Sequence, residues 1–295
     1  MACLRGTLPN SSTQNIQWRR RFVNGLAVAA LTLAALIVLV PLFAIIGTVI
    51  AKGAAGLNAS FFTQLPKPVG EAGGGMANAI AGSILILGIA SLIGVPLGVG
   101  SGIFLAEYGR NMAGNIVRFT SDVLNGIPSI VIGITAFALV VLKTGHYSAL
   151  AAGVALGIMM VPTICRTTEE VLLMVPQSIR EAALGLGIPQ WRTTLSVVVR
   201  TATSGIVTSV MLAFARVAGE TAPLLFTTLG NDYWNWKLSE PTAAMPLQIF
   251  KYAGSPYDDW IQKAWTGSLV LIALIIGAVI LVRFATNRGV LKGAR

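Results

Sequence analysis

Arg216 and Glu220 stand four residues apart in the run Ala213-Phe-Ala-Arg216-Val-Ala-Gly-Glu220-Thr-Ala-Pro-Leu-Leu-Phe226, which carries no other charge. On one helix that spacing places the side chains a turn apart, so they could neutralise each other as an internal ion pair. The alternative is a polar pathway. An arginine deep in an apolar span costs about 2.5–3.5 kcal/mol on insertion scales and normally faces a bundle interior or water. A second cluster, Arg166-Thr-Thr-Glu169-Glu170, closes another apolar run. There Arg166 can reach Glu169 at i+3 or Glu170 at i+4, either as a solvated interfacial group or as a second cationic post on the same pathway. A guanidinium fork can bond two oxygens at once, which suits tetrahedral oxyanions. Two arginine stations, each partly neutralised by a carboxylate, would hold an anion without trapping it.

Other chemistry is poorly provided for. No G-x-x-x-x-G-K-[ST] loop exists to cradle nucleotide phosphates, so any energy source must lie outside the chain. No Ser/His/Asp or Cys/His grouping has a plausible aqueous cleft. Cys3 and Cys165 read as two unpaired thiols, and the single histidine, His146, leaves no basis for a His-rich metal site. Neither a metal nor a cofactor is expected.

The elements that must position these charges are membrane helices. With 55% hydrophobic residues, 11% charged residues and a mean hydropathy of +0.76, the chain is far from soluble composition, which carries roughly a quarter charged residues. Uncharged stretches run over 22–51, 72–106, 123–142, 144–165 and 264–282. A further stretch at 204–228 is broken only by Arg216 and Glu220. A crossing needs about 20 predominantly apolar residues, so six spans are expected. Of the 21 lysines and arginines, 14 fall in alternate segments beginning with the N-terminal arm, 6 in the segments between those, and Arg216 lies inside a span. Cytoplasmic segments hold the Lys/Arg excess, which places both termini inside. The net charge of +10 is thus a topology signal, and no nucleic-acid partner is expected. The first apolar run is too long for a cleavable signal and reads as an uncleaved helix.

This gives a cytoplasmic arm at 1–21 ending in Trp18-Arg19-Arg20-Arg21, a first span at 22–51 and an outer loop at 52–75 with a short amphipathic piece around Phe61-Phe62. The remaining spans occupy 76–285, with a cytoplasmic tail at 286–295. Gly94, Gly98 and Gly102 share one helix face, as do Gly153 and Gly157, and such faces let a neighbouring backbone approach closely. Pro96 should kink its helix. An aromatic loop at 229–265 is expected over the external mouth.

The long inner segment at 176–200 contains Glu181-Ala-Ala-Leu-Gly-Leu-Gly187-Ile-Pro-Gln-Trp191. Glu181, Ala182, Ala183 and Gly187 resemble the E-A-A-x-x-x-G loop of type I ABC importer permeases. The resemblance implies a coupling helix that docks on a separate ATPase. The family's later I-x-L-P ending is not kept, since Val198-Val-Arg200 stands there. Gly94-Val-Pro-Leu-Gly98, Phe104-Leu-Ala-Glu107-Tyr108 and Asn125-Gly-Ile-Pro128-Ser129-Ile-Val131 resemble the permease subunits of phosphate-specific ABC importers. Ala218-Gly-Glu220-Thr-Ala-Pro-Leu-Leu-Phe226-Thr is similar to the PstA type in particular.

The resemblance implies an all-α, six-helix permease with both termini inside the bacterial inner membrane. It also implies a PstC-type second permease, a PstB-type ATPase dimer, a PstS-type phosphate-binding protein and phosphate as substrate. Arg166, Glu169 and Arg216 then correspond to charged positions implicated in phosphate movement, with Glu220 beside them. A permease for sulfate or molybdate, an ion-coupled transporter using Glu220 as a proton relay, and a membrane protein reporting phosphate status are the alternatives.

Overall fold

A computed structural model describes residues 11–71 and 73–293, with side chains from 18 to 286. Cys3, most of the N-terminal arm and the last residues of the tail lie outside the described residues. The chain divides into two units, Met1–Ala51 and Lys52–Arg295. The first consists of most of helix α1 (Ser11–Gly53), which begins inside the arm and runs unbroken through Pro41. Apart from Val49, its large apolar side chains from Trp18 onward are exposed, as a lipid-facing helix requires.

The second unit is all helical among its described residues. A short helix α2 (Ala59–Thr63) buries Phe61, and Asn58 caps it by accepting from the Phe61 N–H at 2.8 Å. Next come α3 (Ala77–Tyr108), α4 (Met112–Gly126) and α5 (Ser129–Thr144). The chain bends by 105° between α4 and α5, at Ile127-Pro128, because a residue before proline avoids the helical region. A π-helical turn at Phe137–Val141 interrupts α5. Helix α6 (Ala149–Leu173) starts at Ser148, whose hydroxyl accepts from the Ala151 N–H at 3.1 Å. Then follow α7 (Gln177–Gly185), α8 (Gln190–Thr201), α9 (Thr203–Ala218) and α10 (Ala222–Thr227). The bend between α8 and α9 is 72°. Last are α11 (Met245–Ala253) and α12 (Asp258–Gly293).

Among the described residues four helices are long and apolar enough to cross a bilayer, and up to six spans result if each bent pair counts as one. The segment at 229–265, expected as an aromatic loop, is not all loop: it contains α11 and the start of α12. Helix α3 passes through Pro96 without a break.

The seam between α3 and α6 organises this unit. A Cβ added at Gly94 would lie 2.7 Å from Met160 Cβ, one at Gly98 2.7 Å from Ile164 Cβ, and one at Gly102 2.6 Å from Thr168 Cβ. In return, Ile89 and Ile93 of α3 rest over Gly153 and Gly157 of α6. Partners on both helices rise together in number, so α3 and α6 run parallel. Without a hydrophobic force between helices in lipid, this close backbone approach is what holds them. Ala213 and Val217 of α9 and Leu224 of α10 complete the surrounding core.

Contacts sort the helix ends into two sets. The Asn78 side chain donates to the Asn231 carbonyl, Ser83 accepts from the Met245 N–H, and the Ser148 N–H donates to Thr227, which gathers the starts of α3, α6 and α11 with the end of α10. The ends of α3 and α6 gather instead with α4 and α7.

Candidate functional site

At the second of these ends, α4 presents Arg118 and Asp122 one turn apart, facing Arg166 and Glu169 on α6. Arg118 Nε donates to Glu169 Oε1 at 2.7 Å, Arg166 Nη1 to Glu169 Oε2 at 2.6 Å, and Arg166 Nε pairs with Asp122 Oδ1 at 3.0 Å. Glu169 is almost wholly buried, with a side chain 5% exposed, and both its oxygens are taken by guanidinium groups. Burying a carboxylate is tolerable only with such pairing. Of the two partners that spacing allows Arg166 on its own helix, Glu169 is the one used; Glu170 is exposed.

The two arginines of this cluster differ in what they have left to offer. Arg118 also donates to the Gly109 carbonyl at 2.9 Å, the Leu105 carbonyl at 3.1 Å and Asn115 Oδ1 at 3.4 Å, so both its terminal nitrogens are engaged. Arg166 uses Nε and Nη1, and among the described residues its Nη2 has no partner, leaving it open to an anion. The cluster carries two positive and two negative charges and is neutral as it stands.

Arg216 is arranged differently. Helix α9 ends at Ala218, Gly219 caps it, and Glu220 lies in the break before α10. Gly219 and the proline at the start of α10 account for the stop, since one favours helix exits and the other helix entries. The Arg216–Glu220 ion pair that four-residue spacing would allow on one helix therefore does not form. Among the described residues, neither side chain has a hydrogen-bond or ion-pair partner; Arg216 is exposed and Glu220 half-buried. The break itself is fixed by packing, since a Cβ on Gly133 of α5 would lie 2.7 Å from Pro223 Cα. Arg166 and Glu169 are thus brought together and Arg216 stands apart from them. At about 1.5 Å per residue, Arg166 sits about 10 Å from the end of α6, and Arg216 about 20 Å along α9 from Thr203.

The segment at 176–200 folds as two helices around a sharp turn. Helix α7 starts after Pro176 and stops at Gly185; Gly187 has φ +79°, and its N–H donates to the Leu184 carbonyl at 2.9 Å. Ile188 N–H reaches back to Ala183 at 3.3 Å. Glu181 and Ala182 are exposed, whereas Ala183 is buried against the bundle, and Leu186 and Trp191 are exposed. The sequence missed the anchor beneath. Arg180 Nη2 and Nε donate to Glu107 Oε1 at 2.9 and 3.1 Å, and Arg180 also bonds the carbonyls of Leu172, at 2.8 Å, and Val175. These side chains are 12% and 7% exposed. Sequence reading also missed Arg118 and Asp122, although a period-3.6 basic and acidic pair on α4 was a signal.

Cys165 is a free, buried thiol accepting from Ser121. Among the described residues no group of three or more His, Cys, Asp or Glu could hold a metal ion.

The chain is similar to known proteins over most of its length. The family described as "Binding-protein-dependent transport system inner membrane component" matches residues 94–290. The Yersinia pestis "Phosphate transport system permease protein PstA" is 43% identical over 278 residues, 94% of each chain. The protein of the same name from Haemophilus influenzae is 41% identical over 90% of this chain and 94% of its own. "Phosphate transport system permease protein PstA 1" of Mycobacterium tuberculosis is 33% identical over 92% of this chain. Among solved structures, a chain of the inward-facing MetNI methionine ABC transporter superposes with a TM-score of 0.57 at 19% identity, covering 75% of this chain and 98% of its own. That likeness concerns the fold alone.

Proposed function

Because the chain belongs to the binding-protein-dependent inner-membrane transport components, and within them to the PstA phosphate transport permeases, we propose that it is the permease subunit of an ATP-driven phosphate importer. The observation that carries the reading is the pair of unspent guanidinium donors, Arg166 Nη2 and the whole of Arg216, on helices of one apolar bundle. Arg166 is already balanced by Asp122 and Glu169 and offers a fork edge to a passing oxyanion. Arg216 is an unbalanced cation further along the path. Exposed within this chain yet set in a membrane helix, it needs water, an anion or a partner subunit around it. Phosphate held by Arg216 and passed to the Arg166 cluster meets a weaker net field at the second post, which favours release. Glu220, half-buried beside the path, limits how tightly Arg216 retains a dianion.

The chain is a membrane component, and ATP hydrolysis belongs to a partner. The exposed Glu181-Ala182 edge and Leu186, just before the Gly187 turn, are the surface for a cytoplasmic ATPase dimer, and Gly187 sets the angle at which it is presented. A homologous second permease supplies the other half of the path, and an extracytoplasmic phosphate-binding protein delivers the ion to the end formed by α11 and the starts of α3 and α6. Counting each bent pair as one crossing gives six spans with both termini inside. That count is favoured by the parallel course of α3 and α6, which requires α4–α5 to return the chain across the bilayer once.

The test is ATP hydrolysis by the reconstituted complex with and without this chain. Stimulation by phosphate and the binding protein only when the chain is present is the expected result. Stimulation by sulfate or molybdate in place of phosphate, or uptake without any ATPase, would contradict it.

A further inference from the structure

The last turn of α3, Leu105 to Gly109, is clasped from two directions. From one side Arg118 bonds the Leu105 and Gly109 carbonyls at 3.1 and 2.9 Å while its Nε holds Glu169 at 2.7 Å. From the other, Arg180 of α7 holds Glu107 at 2.9 Å and bonds the Leu172 and Val175 carbonyls at the end of α6. Glu107 Oε2 further lies 3.5 Å from Thr194 Oγ1, in the π-helical turn of α8. The ends of α3 and α6, both helices of the glycine seam, are therefore cross-tied by two arginines whose side chains are largely buried, 28% and 12% exposed.

We propose that Arg118 is a positioning residue that transmits movement of the ATPase-facing segment to Glu169 and so to Arg166. Arg180 binds α7 to the α3 turn through Glu107. That turn cannot shift without dragging the carbonyls that Arg118 holds, and Arg118 cannot shift without releasing or carrying Glu169. Release of Glu169 would free Arg166 Nη1 as well as Nη2, and so deepen the anion site. Arg118 is not itself assigned as a phosphate ligand, because each of its three nitrogens already donates to a protein acceptor. A tie of this kind needs the planar fork: one guanidinium reaches a carboxylate, two main-chain carbonyls and Asn115, whereas lysine offers a point charge with three rotating donors.

This inference rests on the importer reading, and its test separates the two. In proteoliposomes containing the whole complex, with ATP and the binding protein, Arg118→Lys keeps a cation beside Glu169 but loses the simultaneous carbonyl ties. The expected result is phosphate uptake about tenfold slower at saturation with KM within about twofold, and ATP hydrolysis no longer following phosphate. Combining it with Glu107→Gln should add little to the loss from either change, since both cut one chain of contacts. A raised KM at unchanged maximal rate, or losses that multiply, would overturn the proposal. If Arg118→Lys does not assemble, Glu107→Gln and Arg180→Lys on the far side of the turn carry the test: uncoupled hydrolysis supports the tie, and coupled uptake by both overturns it. A wild-type complex that takes up no phosphate would defeat the functional reading and this inference together, whereas wild-type uptake with normal coupling in Arg118→Lys overturns this inference alone.

Discussion

Glu220 lies past the end of the helix that carries Arg216, and no ion pair joins them. Helix α9 stops at Ala218, and the Glu220 N–H donates to the Val217 carbonyl at 3.1 Å in the closing turn, so the main chain has already left the α-helical course. An arginine that would be neutralised on a continuous helix is thereby left available. Removing its charge should consequently affect transport more than folding. Arg216→Gln is expected to insert and assemble at wild-type levels but to slow phosphate uptake by about 10–100-fold, the loss of about 1.5–3 kcal/mol of charged hydrogen bonding. Arg216→Lys should recover only part of the rate, because the fork is gone. Quantitative blotting of the assembled complex alongside uptake checks both halves.

Gly187 at φ +79° has open space around it, so a side chain there meets strain from the backbone and none from neighbours. Gly187→Val should leave the bundle intact and misaim the turn between α7 and α8, since β-branched residues strongly resist positive φ. The expected phenotype is an inserted subunit whose complex hydrolyses ATP without uptake. Gly187→Asn, which tolerates the left-handed region better, should retain more coupling.

The glycine seam makes the opposite prediction. A Cβ at Gly98 would meet Ile164 Cβ at 2.7 Å and the Val161 carbonyl at 3.1 Å, and neither can swing away. Gly98→Leu should therefore destabilise the bundle by about 1–3 kcal/mol or more. Lower thermal stability of the purified complex, in a detergent melt, would show it. Gly88→Leu on the same helix, where nothing lies within 4 Å, should melt like wild type.

Sidedness follows from the two sets of helix ends. Single cysteines at Tyr147, beside the start of α6, and at Gln190, the first residue of α8, are expected to label from opposite faces of the membrane, in a background lacking Cys3 and Cys165. Labelling of both from one face would refute the six-span reading.

How far the sequence anticipated this arrangement depended on the range of each interaction. Gly187, the Gly94-Gly98-Gly102 face and the Arg166–Glu169 contact are local signals, with spacing and residue type carrying the physics. Arg118–Glu169 and Arg180–Glu107 join residues 51 and 73 positions apart, and only the docking of α4 and α7 against the ends of α3 and α6 brings them together. Four-residue spacing left an Arg216–Glu220 ion pair open as one of two readings; it does not form, because Gly219 and Pro223 end one helix and begin the next. Helix α11 was hidden in an aromatic-rich stretch, although Pro246 in its first turn and Lys251 in its last are ordinary helix-boundary signals.

Whether Arg216 meets the substrate is tested most directly by ATP-driven uptake of radiolabelled phosphate into proteoliposomes by the complete complex carrying Arg216→Gln/Glu220→Gln. The double change removes both charges, so it tolerates burial and isolates substrate contact from electrostatic balance. If Arg216 does meet the substrate, the complex assembles and retains ATPase activity yet takes up phosphate at a rate near the background of empty vesicles. Robust phosphate uptake by that complex would contradict such a contact.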